Sequence, residues 1–372
     1  MKGILCFLKR NMMMMVAMVA ALFTVFLVPV DRGYADYIDF KTISCLFCVL
    51  AVVCALKNVN FFYLLARKIV EYFHTTRLCV LALVYITFIG SMLIANDMAL
   101  LTFLPLGYYV LTTTRKEKYM AYVFILQNIA ANLGGMLTPF GNPQNLYLYT
   151  RFHISNGEFI RIMFPPFFLA VILITVCCFR VKSEPMTLAG GQDETQGHRG
   201  KTVLYLVLFA LSIAIVFRSI PYWIGLIIIP LVLLFFDRHA LKMVDYPLLL
   251  TFVFFFIFAG NMARIEVVRD FLGTLLAKNT LIFSTLSCQF ISNVPSAILL
   301  SGFTENYADL LVGVNIGGVG TLIASLASLI TFREYLKHNP GKGRYYVGLF
   351  SLMNFGFLFV MIGFEFLLRY ML

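Results

Sequence analysis

Of the 18 Asp and Glu residues in this chain, 17 fall in segments that read as loops, interfacial stretches or the ends of apolar runs, and Asp97 alone sits in the middle of one. A carboxylate at membrane depth must be paired, hydrated or protonated, and such groups mark ion and substrate paths. Asp97 therefore reads as a proton carrier or cation ligand, or else as a cap on backbone N–H groups. Glu365, near the outer end of the last apolar run, reads as interfacial and receives no role. Asp97 belongs to Ala95-Asn96-Asp97, and a second polar point, Ser292-Asn293-Val294-Pro295, interrupts a later apolar run. Asn is both donor and acceptor, so it can hold an anion's oxygens or cap an unwound helix. Helix ends inside a membrane offer free N–H groups to negative charge, and nearby carbonyl ends can ligate Na⁺. That combination suits an anion with a coupling cation.

Two further stretches are copies of one another. Asn132-Leu133-Gly134-Gly135 leads to Thr138, Pro139, Gly141, Asn142, Pro143 and Asn145, and Asn315-Ile316-Gly317-Gly318 leads to Thr321, Ser325 and Ser328. The Gly pairs permit close approach or unusual dihedrals. Pro139 and Pro143, like Pro295 in the later run, remove backbone donors and prevent regular helix, and Gly141 adds to the break. A lone Gly-Gly reads as helix packing. The same break in both halves of a chain reads as a transporter's binding site.

These residues require elements to position them. The chain is 61% hydrophobic and 13% charged, about half the charge of a soluble domain, and reads as an all-α polytopic membrane protein. Apolar segments fall near 12–30, 41–56, 78–112, 119–150, 162–180, 202–217, 222–236, 246–262, 279–304, 307–332 and 346–368. Segments 78–112 and 279–304 have polar centres and read as re-entrant hairpins, tolerated where protein or a wet cavity surrounds the tip. Amphipathic stretches, Lys57 to Arg77 and Arg264 to Lys278, precede them and read as interfacial helices. The N-terminal run resembles a signal peptide, but it is long enough to span and reads as the first transmembrane helix.

With the N-terminus in the cytoplasm and both hairpins returning to the side they left, 20 of the 29 Lys and Arg residues are cytoplasmic and the C-terminus is external. This agrees with the positive-inside rule and accounts for the net charge of +11 without nucleic acid. Residues 1–182 then form one repeat: span, span, hairpin, broken span, span. Residues 222–372 form the same repeat inverted. The cytoplasmic linker and one linking span, 183–221, join them. The eight cysteines lie mostly in apolar runs, and Cys45-x-x-Cys48 reads as small apolar filler. No His-rich site, paired membrane acids or H-E-x-x-H is present, so no catalytic residue is assigned and the chain does not read as an enzyme.

Asn132-Leu-Gly-Gly-x-x-Thr-Pro-x-Gly-x-Pro-x-Asn145, Ser292-Asn-Val-Pro295 and Asn315-Ile-Gly-Gly-x-Gly-Thr321 together resemble the ion transporter superfamily of citrate-transporter-like permeases, divalent anion/sodium symporters, arsenite permeases and certain sodium/proton antiporters. The resemblance covers nearly the whole chain. It implies a scaffold with a moving transport unit, elevator-type alternating access and a homodimer. In the symporters each tip carries Ser-Asn-Thr; here Asn96, Ser292 and Asn293 match, whereas Ala95-Asn-Asp97 is closer to the arsenite permeases.

The expected function is secondary-active transport of a small anion across a bacterial inner (plasma) membrane. Na⁺ or H⁺ would couple it, with no other metal or cofactor. Arsenite permease and Na⁺/H⁺ antiporter are alternatives, and an ion channel is a more distant one. Asn96, Asn132, Ser292, Asn293 and Asn315 would line the site with Gly134, Gly135, Thr138, Asn142, Asn145, Gly317, Gly318, Thr321 and Ser325, and Asp97 would couple.

Overall fold

The computed structural model describes residues 12–61, 64, 67–68, 72–185 and 199–371, and apart from one isolated bridge between Thr75 and Pro185 their regular structure is helical. The expected interfacial stretch 57–77 and the linker 183–201 fall partly outside these residues, as do Lys2, Lys9 and Arg10. Besides the short helices Tyr34–Tyr37 and Arg238–Met243, the helices are α1 (Met12–Leu27), α2 (Phe40–Asn58), α3 (Thr76–Ile94), α4 (Asn96–Thr113), α5 (Met120–Gly134), α6 (Pro143–Arg151), α7 (Asn156–Phe179), α8 (Arg199–Val216), α9 (Tyr222–Phe236), α10 (Tyr246–Arg264), α11 (Glu266–Ile291), α12 (Asn293–Leu300), α13 (Tyr307–Ile316), α14 (Leu326–His338) and α15 (Gly343–Met371).

Among the described residues, seven helical stretches are long and apolar enough to cross a membrane. One of them, α11, is not a single rod. Asn279 has extended dihedrals (φ −165°, ψ 94°), and its Oδ1 accepts from the Ile282 N–H at 2.9 Å. The amphipathic stretch before Asn279 is thus helical, as expected, and turns at Asn279 into the arm 280–291. On α7, Ile160, Phe164, Phe168, Ile172 and Val176 are exposed at four-residue spacing, so they line one face. A stripe of that size would be an aggregation liability in water; here it meets the bilayer of an integral membrane protein.

The helices pack as two groups. In the first, α2 packs on α8 and α9, and α1 packs on α10. In the second, α3 packs on α4 and α5, α11 on α12 and α13, α14 on α4 and α5, and α6 on α12. Contacts between the groups run chiefly from α10 to α12 and from α2 to α6.

The loops separate to two ends. At one end Arg264 pairs with Asp31 (2.6 Å), Arg369 with Asp309 (2.6 Å), and the Tyr307 hydroxyl donates to Glu158 (2.6 Å). At the other, Asn58 donates to Asp237 (3.0 Å), Arg77 to the Val181 carbonyl (2.8 Å), and Lys116 pairs with Glu184. Tyr34 at the first end donates to the Val28 carbonyl (2.6 Å), so α1 starts at the second end and α15 finishes at the first.

Glu365 corrects the sequence reading. It is 4% exposed, with no hydrogen-bond partner for Oε1 among the described residues. The surrounding helices bury it rather than leaving it at an interface, a burial that position along a single apolar run does not reveal.

Candidate functional site

The chain turns between α3 and α4 at Ala95 (φ 67°, ψ 152°) and between α11 and α12 at Ser292 (φ 76°, ψ 159°). Both are non-glycine residues at positive φ, a conformation that costs about 1–3 kcal/mol and persists where its surroundings fix it. The surroundings are alike. The Asn96 N–H donates to the Gly141 carbonyl (3.1 Å) and the Asn293 N–H to the Ala324 carbonyl (2.9 Å). Each Asn side chain then accepts the next N–H through Oδ1, from Asp97 (2.9 Å) and from Val294 (2.9 Å). Each asparagine is the first residue of its helix; the Asp97 side chain takes no such bond, and its Oδ1 has no partner among the described residues.

Each hairpin is sewn to the broken segment that follows it. Thr138 Oγ1 donates to the Met92 carbonyl (2.7 Å), and Thr321 Oγ1 to the Gln289 carbonyl (3.0 Å). In the first segment Asn145 Nδ2 holds the loosened carbonyls of Gly135 (3.1 Å), Met136 (3.3 Å) and Thr138 (3.2 Å). In the second the hairpin supplies this group. Gln289 Nε2 donates to the Gly317 (2.9 Å) and Val319 (3.2 Å) carbonyls, and Gln289 Oε1 accepts from the Thr321 N–H (2.8 Å).

The two segments also exchange hydrogen bonds. Asn132 Oδ1 accepts from Asn96 Nδ2 (3.1 Å) and Ser325 Oγ (2.8 Å). Asn315 Oδ1 accepts from Asn142 Nδ2 (3.1 Å) and Gln144 Nε2 (3.4 Å), and Asn315 Nδ2 donates to Asn145 Oδ1 (2.6 Å). Each Gly-Gly segment is thereby tied to the far side of the other.

The glycines act through close approach. Gly134, Gly135 and Gly317 have ordinary right-handed helical dihedrals, so of the two uses open to these Gly pairs it is close approach that occurs there. A Cβ on Gly134 would lie 2.3 Å from the Phe88 carbonyl oxygen, and one on Gly318 would lie 3.1 Å from Asn293 Nδ2. Gly320 alone in this region is left-handed (φ +129°), where its hydrogen faces Gln289.

The prolines also need correction. Pro143 is the first residue of α6, and Pro295 lies in the first turn of α12. In a first turn the missing N–H has no intrahelical partner to lose, so these prolines start helices rather than break them. The interruptions lie just before them, at Thr138–Asn142, which includes Pro139 and Gly141, and at Ser292.

The tips and segments meet at a small chamber of about 20 Å³ lined by Asn96, Asp97, Pro143, Gln144, Leu248, Thr251, Ser292, Asn293, Val294, Ser325 and Leu326. Of the residues expected in the site, Asn96, Asp97, Ser292, Asn293 and Ser325 line it. Asn132, Asn142, Asn145 and Asn315 form the layer behind them, and Thr138 and Thr321 bind backbone. Four helices begin at the chamber: α4 at Asn96, α6 at Pro143, α12 at Asn293 and α14 at Leu326. Their N-terminal dipoles add there. Two acceptors at the chamber, Asp97 Oδ1 and Gln144 Oε1, have no partner among the described residues.

Gln144, Gln289 and Thr251 escaped the sequence reading of the site. Gln144 stands between two assigned residues, Pro143 and Asn145, and Gln289 is one of the polar residues at the centre of its hairpin. Thr251 carried no signal, because its hydroxyl satisfies the Pro247 carbonyl on its own helix (2.7 Å). Among the described residues, no three His, Cys, Asp or Glu side chains gather to hold a metal ion, and all seven described cysteines are free thiols.

Comparison with known proteins places these features among transporters. A family model described as Citrate transporter matches residues 4–311. An uncharacterized transporter of Methanocaldococcus jannaschii is 32% identical over 325 residues, 87% of each chain. The inner membrane protein YbiR of Escherichia coli is 31% identical over 318 residues, 83% of each. A 46 kDa membrane protein of Mycobacterium leprae is 24% identical over 338 residues, 79% of this chain and 78% of its own.

Proposed function

The chain belongs to the citrate transporter family, and we propose that it is a secondary-active carrier of a small organic anion of the citrate kind, coupled to Na⁺ or H⁺. The observation that carries this reading is the meeting of four helix N-termini at one chamber. Aligned N–H groups and dipoles favour negative charge without a buried Lys or Arg, and neutral Asn and Ser side chains provide the directional contacts.

Asp97 supplies the coupling. Its carboxylate occupies the same positive field as the anion, with an unpartnered oxygen. Two negative groups at close range in a low-dielectric site repel strongly. A cation on Asp97, H⁺ or Na⁺, removes that repulsion, so cation and anion bind together.

The two packing groups support a scaffold and a transport unit moving past one another. The matching contacts of α1 with α10 and α2 with α9, and of α4 with α14 and α12 with α6, support two inverted repeats. The proposal extends to re-entrant hairpins, a homodimer, and residence in a bacterial inner membrane with the N-terminus cytoplasmic.

The Ala95-Asn96-Asp97 tip favours a second reading, arsenite permeation. One screen separates the two. The purified chain in proteoliposomes is assayed for uptake of citrate, dicarboxylates, phosphate and arsenite, with and without Na⁺ and at two pH values. Saturable, cation-dependent uptake of a carboxylate is expected. Uptake of arsenite alone selects the second reading, and conductance far above carrier turnover overturns both in favour of a channel.

A further inference from the structure

Resting on the transport reading above, we infer that a recess at the end of the bundle carrying Asp31 and Arg264 is the chamber's access vestibule, and that Tyr147, Phe256 and Ser301 form the gate between them. The recess has a volume of about 560 Å³, within the roughly 300–1,000 Å³ of small-molecule sites. Its walls come from the loop between α1 and α2, from α6, from α10 and from α12 with the turn after it.

Three of these helices also reach the chamber. On α6, Gln144 lines the chamber and Tyr147 the recess; on α10, Thr251 and Phe256; on α12, Val294 and Ile298. At 1.5 Å per residue these pairs are separated by about 4.5, 7.5 and 6 Å along their helices, so the barrier is little more than one turn thick. The chamber is off-centre for the same reason. The helical segments leading to it from the recess end, α6, α12, α13 and the arm 280–291 of α11, have 9, 8, 10 and 12 residues, against 19, 18, 15 and 13 in α3, α4, α5 and α14 on the other side.

The barrier is a defined layer. The Tyr147 and Phe256 rings pack with centroids 5.4 Å apart. Ser301 Oγ donates to the Ile298 carbonyl (2.9 Å), so the Tyr147 hydroxyl is the donor in its 2.8 Å bond to Ser301. All three residues are buried. Phe256 belongs to one packing group, and Tyr147 and Ser301 to the other, so relative movement of the groups parts the layer.

Charge does not make the recess a selective anion trap. Lys41 and Arg151 share the lining with Asp36 and Asp39, and Arg264 is paired with Asp31. The recess admits water and ions, and selection falls to the chamber.

Cysteine accessibility tests the inference without reference to any substrate. Ala263→Cys reports the recess and Thr251→Cys the chamber, both on α10. The full chain in sealed vesicles of each orientation is treated with membrane-impermeant trimethylammonium-ethyl methanethiosulfonate, with the native chain as background. From the face that reaches the recess, Ala263→Cys is expected to react at least about tenfold faster than Thr251→Cys, since access to the latter waits on opening. Adding Tyr147→Ala or Phe256→Ala is expected to bring the two rates within about threefold, and Tyr147→Phe, which keeps the ring, to produce a smaller rise. Equal rates in the otherwise native chain, an unreactive Ala263→Cys, or continued protection of Thr251→Cys in both alanine variants overturns the gate. Because labelling reads access rather than uptake, a chain that transports nothing in the screen above can still show this gate, and a working carrier can lack it.

Discussion

The two hairpin tips share a backbone and differ in chemistry. Ala95 and Ser292 turn with nearly the same dihedrals, and Asn96 and Asn293 each accept the next N–H through Oδ1. The next residue is Asp97 in one and Val294 in the other. A fold that holds two equivalent turns at one chamber needs only one of them to carry charge, because a second carboxylate there would repel the first and the anion alike. The seams differ as well. The first broken segment is stitched by its own Asn145, and the second by Gln289 from the hairpin beside it.

The largest expected effect breaks the chemical difference. Asp97→Asn should abolish the dependence of uptake on pH or Na⁺, measured as the ratio of initial rates in proteoliposomes under the two conditions. Unchanged cation dependence would leave Asp97 structural and make the two tips functionally alike.

The next effect tests what the tips share. Asn96→Ala and Asn293→Ala should each raise KM by about tenfold or more, equivalent to about 1.4 kcal/mol of lost binding. Wild-type KM in either variant would remove that tip from the site.

A third variant concerns the seams. Gln289→Ala leaves the Gly317 and Val319 carbonyls and the Thr321 N–H without that partner, and should destabilise the chain by about 1–3 kcal/mol. Thermal unfolding in detergent reads this. Asn145→Ala should cost a similar amount, because it frees three carbonyls in the other half; a large difference between the two would show that the seams are not equivalent.

The smallest effect lies at the base of the first hairpin, where the Thr76 N–H binds the Glu184 carbonyl (2.9 Å). Lys116 and Lys118 hold the Glu184 carboxyl below its ordinary 4.5. A depressed carboxylate stabilises the folded chain above its unfolded value, and that contribution is lost as pH falls through the lower folded value. Glu184→Gln should therefore lower Tm slightly at pH 7 and leave it unchanged well below pH 4, where both chains carry a neutral group. An equal shift at both pH values would assign the effect to something other than charge.

Composition and repeated motifs were sufficient for the all-α membrane class and the polar tips. These are properties of single segments: hydrocarbon requires long apolar runs, and a break in such a run is visible wherever it occurs. The sequence also isolated Asp97, because one acid in an apolar run stands out. Partners were another matter. Whether an Asn lines the chamber, supports it from behind or stitches a backbone depends on which segment lies opposite. The exchange between Asn132 and Ser325 and between Asn315 and Asn142 joins residues more than 170 positions apart. Tertiary packing alone decided that Glu365 is buried, that Gly134 serves close approach, and that Thr251 from another packing group reaches the chamber. Each of these depends on a neighbour brought in by the fold, and the residue's own type and spacing do not record it.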